Sequence, residues 1–156
     1  MPASAHASPI ADASPEFAAP VRFDTKVVIV LNDDLAPWQE LNVTAFLMSG
    51  IATSGQDLTG EPYRDRDGNE YLPMLRQPVL VMTATAELLR VARSKATDRG
   101  VALAVYTREL FSTGHDDANR AAVAAVGADD LDLVGIGLRG PRNVIDRIVK
   151  GARLHE

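Results

Sequence analysis

A three-layer α/β fold, one sheet covered by helices on both sides, is what this sequence predicts. Four segments of strand length, Val27 to Leu31, Pro78 to Met82, Val101 to Val105 and Leu133 to Leu138, are almost unbroken apolar runs. That is the pattern of strands buried on both faces. The stretches between them carry apolar residues at helical spacing, and Pro37, Gly100, Pro141 and Gly151 punctuate them at the places where helices start and stop.

The chain opens with Met1 to Val21, rich in Ala, Pro and Ser and interrupted by Asp12 and Glu16. With no basic start and no continuous apolar stretch it reads as a disordered tail and not as a secretion signal. Residues 1–22 are therefore set apart from a single α/β domain over 23–156, a length that buries one core and is too short for two ordinary domains. The first strand, Lys26 to Leu31, runs into a polar turn at Asn32 to Ala36, and Pro37 suits the first turn of a helix reaching about Ile51. At about 100° per residue, Trp38, Leu41, Ala45, Met48 and Ala52 share one side, while Val43, Phe46 and Leu47 point elsewhere. A helix that is apolar nearly all round needs a cover on its outer side, so homodimerisation through Val43, Phe46 and Leu47 is one expectation.

Ser54 to Gln77 is rich in Gly, Pro and charge and reads as an excursion, with a tight hairpin turn at Asp67-Gly68-Asn69 between Tyr63 and Tyr71. Asp65, Asp67 and Asn69 hint at a calcium loop, but the glycine follows the second acidic residue directly and breaks that spacing. The second strand leads into a helix with the stripe Leu88, Val91 and Ala92, stopped at Arg99-Gly100. With Val101 to Val105 this makes a βαβ unit whose strands run parallel in one sheet. A helical turn around Leu110 follows, then an alanine-rich helix capped by Asp116 and ended by Gly127. After the last strand, about Leu131 to Leu138, a helix begins at Gly140-Pro141 with Val144, Ile145, Ile148 and Val149 on one face.

Composition narrows the function. The chain is 46% apolar and 24% charged, average for a soluble domain, and no apolar run approaches the roughly 20 residues a membrane span needs. A net charge of −5 disfavours nucleic acid as a partner. The absence of cysteine removes disulfides and thiolate chemistry and suits the cytoplasm. Gly135 to Gly140 matches G-x-G-x-x-G, but only 16 residues follow Gly140, too few for the ribose-binding acid and further strand of a dinucleotide site. Gly135 and Gly137 are instead expected within the strand, letting a helix or backbone approach closely. The helix start at Gly140 to Asn143, beside Arg139 and Arg142, remains open to a simple anion.

Only His115 among the three histidines lies in the domain body, too few for a zinc site. No metal and no cofactor is expected. Ser112, His115 and Asp116 crowd one turn, unlike the distant members of a hydrolase triad, and a capping turn explains them better. The ligand site is placed at Trp38, Gln39 and Asn42 on the first helix, Tyr106 and Thr107 past the third strand, and His115. The first two groups follow the carboxyl ends of parallel strands, where α/β pockets form.

The strings Trp38-Gln39-Glu40-Leu41-Asn42-Val43, Ala45-Phe46-Leu47, Gly60-Glu61-Pro62-Tyr63-Arg64, Tyr71-Leu72-Pro73-Met74, Thr107 to Gly114 and Arg139-Gly140-Pro141 resemble an uncharacterised bacterial family, domain of unknown function 2000. The resemblance covers about Thr25 to Leu154. That family is distantly similar to type II peptidyl-tRNA hydrolases, which implies a mixed four-stranded sheet between helices. Those hydrolases carry a lysine-rich turn, then glutamine and histidine on the first long helix, and Asp-Ala-Gly after the third strand. Here Ala36 to Gly50 holds no Lys, Arg or His, and the later position reads Thr107-Arg108-Glu109. The expectation is a cytoplasmic binding domain for a small molecule or peptide that has lost hydrolysis, with no membrane contact. The alternative is a hydrolase of peptidyl-tRNA or a smaller ester or amide, using His115 or Glu109 as base.

Overall fold

In the computed structural model, which describes residues 19–156, each apolar run forms a strand and the expected helices lie between them. The tail expected at 1–22 falls, up to residue 18, outside the described residues. The order is β1 (Thr25–Asn32), α1 (Pro37–Ala52), β2 (Tyr63–Arg64), β3 (Glu70–Tyr71), β4 (Val79–Ala84), α2 (Ala86–Asp98), β5 (Ala102–Thr107), a 3-10 turn (Arg108–Ser112), α3 (Asp116–Ala124), a second 3-10 turn (Ala128–Asp130), β6 (Leu133–Pro141), α4 (Arg142–Ile148) and β7 (Arg153–Leu154).

The main sheet is mixed and has five strands, in the order β5-β6-β1-β4-β7. β1 and β4 are parallel, β6 runs antiparallel to both β1 and β5, and β7 is antiparallel to β4. β4 and β5 are thus parallel within one sheet, as the βαβ unit predicts, although β6 and β1 lie between them. The expected four strands are all present. The fifth, β7, pairs only Met82 with Leu154 and Thr83 with Arg153, and two residues are too few to leave a period in the sequence.

Side chains alternate across β1. Val28 and Val30 face one layer with Leu89, Ala92, Ala96, Ile145 and Ile148 from α2 and α4. Ile29 and Leu31 face the other with Val43 and Leu47 of α1 and with Tyr106. The buried side of α1 is therefore Val43, Leu47 and Ile51, not the side through Trp38 and Leu41. Val43 is 0% and Leu47 2% exposed, while Trp38 is 60% and Leu41 74% exposed, so the dimer surface expected from Val43 and Leu47 is not available; of that trio only Phe46 stays outside.

The physical cause lies in β6. A Cβ on Gly135 would sit 2.6 Å from Val43 Cγ1 and 3.1 Å from Leu47 Cδ1, and one on Gly137 3.1 Å from Ile51 Cγ1. The two glycines form the trough into which α1 packs, as expected of glycines inside a strand, and the G-x-G-x-x-G string lies within β6 and forms no phosphate loop. α2 is also turned slightly from expectation. It buries Leu89, Ala92 and Ala96 and leaves Val91 exposed, because the adjacent Leu88 and Leu89 fit either of two neighbouring stripes. Its stop is as read, with Gly100 at φ 60°, and at its start the Thr85 side chain accepts from the Leu88 N–H at 3.3 Å.

The excursion forms the β2–β3 hairpin, with Tyr63 paired to Tyr71 and Gly68 at φ 91°. Asp65 organises it. One carboxylate oxygen accepts from the N–H groups of Asp67 and Asn69 at 3.0 and 2.9 Å, and the other from the Asn69 amide and the Tyr71 hydroxyl, both at 2.8 Å. The turn reading, not the calcium reading, accounts for these residues. Hydrogen bonds from the Asn69 and Tyr71 side chains, then from backbone N–H groups, lower the Asp65 pKa from 3.8 to about 2. With its folded value depressed, the carboxylate supports the hairpin fully above pH 3.8 and loses that support as pH falls through about 2. NMR spectra between pH 5 and 1.5 are expected to show Asn69 and Tyr71 shifting with a midpoint well below 3.8, and Asp65→Ala is expected to loosen the hairpin while leaving the main sheet's melting unchanged.

Candidate functional site

β1 and β5 point the same way, so the start of α1 after β1 and the 3-10 turn after β5 arrive at one end of the sheet. There the Tyr106 hydroxyl donates to Asn42 Oδ1 at 3.2 Å. The ring of Tyr106 lies 5.2 Å from Phe111 and 5.9 Å from Phe46, and Phe111 lies edge-on 5.6 Å from Trp38. These side chains, with Thr113, His115 and Asn119, line a cavity of about 400 Å³. It continues, through the shared residues Phe46, Tyr106, Leu110, Asp116 and Asn119, into a groove of about 560 Å³ between α1 and α3.

Four of the six expected site residues, Trp38, Asn42, Tyr106 and His115, meet at this cavity. Gln39 and Thr107 do not line it. Gln39 Oε1 instead accepts from the Ala36 N–H at 2.9 Å and closes the start of α1. Thr107, 1% exposed at a strand irregularity, keeps its hydroxyl in the interior with no hydrogen-bond partner among the described residues.

His115 is itself the cap of α3: its Nδ1 accepts from the Ala118 N–H at 3.2 Å. Asp116, expected as the cap, lies in the first turn, where it and Asp117 hold Arg120. A histidine accepting through Nδ1 is neutral and carries its proton on Nε2. α3 ends at Ala124 rather than at Gly127, whose φ is an ordinary −70°. Ser112, His115 and Asp116 share no hydrogen bond. At the start of α4, left open to a simple anion, the first helical N–H, of Arg142, is already taken by the Asp24 carbonyl at 3.1 Å.

The cavity is chemically asymmetric. Its walls are aromatic. Burial raises the Tyr106 phenol above its ordinary value of 10, so it stays a neutral donor committed to Asn42. With Asn42 Oδ1 bonded to Tyr106 and Asn119 Oδ1 facing the Thr113 hydroxyl, both amides have N–H groups to spare, and His115 adds Nε2–H. Such a site suits a ligand with an apolar or aromatic body and acceptor oxygens. Among the described residues no group of three His, Asp or Glu side chains is placed to hold a metal ion, and no helix is long and apolar enough to cross a membrane.

One interaction has no sequence signal. His155, one residue from the end of this sequence, extends the β4–β7 ladder with its N–H on the Val81 carbonyl at 3.0 Å and sets Nε2 3.1 Å from Glu40 Oε1. The Glu40 hydrogen bond, followed by that to the Glu156 carbonyl, raises the His155 pKa above 6.5. Since the folded value is raised, this contact stabilises the docking of β7 fully below pH 6.5 and fades as pH rises through the folded value. NMR titration is expected to place His155 above 6.5, and Glu40→Gln to return it toward 6.5; a His155 that titrates at 6.5 in both proteins contradicts the pairing.

Residues 25–156 match the family described as protein of unknown function DUF2000. The solved structure of a protein of unknown function, Atu0240, from Agrobacterium tumefaciens strain C58 is similar at 47% identity, with a TM-score of 0.84, over 86% of this chain and 100% of that one. No curated protein matches the chain.

Proposed function

The chain belongs to the DUF2000 family of proteins of unknown function, and from that premise we propose that it is a binding protein for a small molecule or peptide, with its site in the aromatic cavity between α1 and the turn after β5. The observation that carries this reading is Trp38. It stays 60% exposed at the rim yet is held edge-on by Phe111 above a pocket with spare N–H donors. A large exposed aromatic fixed beside a concave site offers its face to a ligand without further ordering cost.

The same reading takes β1, β4, β5 and β6 as the mixed sheet of the type II peptidyl-tRNA hydrolases, with β7 added, and places the protein in the cytoplasm, in keeping with a chain that has no cysteine. It excludes their activity. Ala36 to Gly50 offers no cation to a tRNA backbone, and His115 Nδ1 is engaged by the α3 cap.

Thermal-shift screening of metabolites and short peptides is expected to find ligands that raise Tm, and Asn42→Ala and Trp38→Ala are each expected to weaken them at least tenfold. Because Trp38 is exposed, its variant should fold normally. Incubation with peptidyl-tRNA is expected to release no tRNA. A broad screen with no shift, or ligands indifferent to both substitutions, would remove the proposed site; turnover lost on His115→Ala would restore a hydrolase.

A further inference from the structure

The groove that leaves the aromatic cavity follows a free sheet edge. Among the described residues, β5 is the last strand on its side of the sheet and pairs only with β6. Every second residue of Ala102–Thr107 therefore turns its N–H and C=O away from the sheet, and no other backbone hydrogen bond reaches Ala102 to Tyr106 among the described residues. Three consecutive residues, Ala104, Val105 and Tyr106, line the groove. Since neighbouring side chains point to opposite faces, a groove that touches all three faces the edge of the strand.

Its other walls leave room. α1 contributes Ser49 and Gly50, and α3 contributes Asn119, Val123 and Ala124 from one helical face. α3 buries no residue fully, so this wall is lightly held and can yield. The strand's own residues carry no edge protection, because Ala-Leu-Ala-Val-Tyr-Thr contains no lysine, proline or inward charge, and the one irregularity lies at its end, between Tyr106 and Thr107.

We propose that this groove binds an extended, proline-free peptide, which adds to β5 as a further strand and sets one apolar side chain into the cavity at Trp38 and Tyr106. The inference rests on the binding reading above and names its ligand class. A row of unpaired backbone donors and acceptors at strand spacing is matched by another extended backbone and by few other ligands. Walls on both flanks admit a single chain. A second copy of this protein would have to bring its own β5 into the groove with the same two helices attached, so the occupant is a peptide.

The test uses the full chain and a phage-displayed library of random heptapeptides, with the enriched sequence synthesised and its ends blocked. The peptide is expected to slow hydrogen exchange at alternate amides of Ala102–Thr107 at least tenfold. N-methylation at alternate peptide positions should weaken binding at least tenfold, and methylation at the intervening positions much less. Ala124→Trp, which fills the groove away from the aromatic cavity on an exposed helix end, should also weaken it tenfold. Three results overturn the proposal: no enriched sequence; a peptide indifferent to both N-methylation and Ala124→Trp; or alternate-amide protection that appears without peptide and rises with protein concentration, which assigns the edge to a second copy. Small molecules that still bind in an Asn42-dependent way after any of these leave the cavity reading intact, so the two failures are separable.

Discussion

Gly135→Val is expected to lower stability by about 3 kcal/mol, the upper range for overpacking a core, and Gly135→Ala by roughly 1–2 kcal/mol. Gly135 has no positive φ. On backbone grounds alone, replacing it would gain about 0.4–1 kcal/mol by restricting the unfolded chain. Contact decides the sign instead. The added Cβ would lie 2.6 Å from Val43 Cγ1, with Leu47 Cδ1 at 3.1 Å and Leu31 Cδ2 at 3.4 Å, so α1 must lift from the sheet and lose packing along its buried face. The two residues are therefore coupled. In Gly135→Ala/Val43→Ala the new methyl enters space the valine leaves, and the double variant should be more stable than the sum of the single losses predicts. Urea unfolding of the four proteins measures this directly. A Gly135→Ala protein as stable as the parent would mean that α1 does not rest on β6 as described.

Leu47→Asp is expected to unfold the protein, whereas Leu41→Asp changes stability by no more than about 0.5 kcal/mol. Leu47 is 2% exposed against β1 and β6 and Leu41 74% exposed, although they lie on the same helix and the same residue type stands at both. Losing a buried leucine side chain costs about 2–5 kcal/mol. A carboxylate left without a partner adds to that until it takes up a proton. The sum reaches the 5–15 kcal/mol of stability usual for a domain. Far-UV circular dichroism and denaturant melts of the two variants separate the faces of α1, and the opposite ranking would sink the assignment of Val43, Leu47 and Ile51 as its buried side.

That pair of variants also marks where sequence reading stops. α1 was legible as a helix, from Pro37 and its length, but not in its orientation. Trp38, Leu41, Phe46 and Leu47 are all apolar, so no side dominates, and the burial of one is chosen by the shape of β6. The two glycines that shape it stand 92 and 94 positions after Val43 (135 − 43 and 137 − 43). α4, by contrast, has a single apolar stripe, and Ile145, Ile148 and Val149 are buried as read. The cavity was half legible. Asn42 and Tyr106 could be expected near one another because the sequence reading places both after the ends of parallel strands, and they do meet, although β5 runs on to Thr107 and Tyr106 is still paired within it. Gln39 could not be separated from them, because a glutamine that caps its own helix and one that faces a pocket look alike in one dimension. Phe111 and Asn119, which complete the walls, sit in segments whose local signal is only a turn and an alanine-rich helix.

The sequence by itself determined the elements that depend on neighbouring residues: the four long strands, the helices between them, the Asp65 hairpin, the stops at Gly100 and Gly151, and the family. Propensity, capping and turn chemistry act over a few residues, so one chain suffices to reveal them. Only the tertiary structure decided which face of α1 is buried, that β6 and β1 separate β4 from β5, that β5 is left as a free edge beside a groove, and that His155 reaches Glu40. Each of these is a choice among partners far apart in the chain, 115 positions for His155 and Glu40 (155 − 40). Periodicity states that a surface must be covered; the energy of packing one particular surface on another states by what.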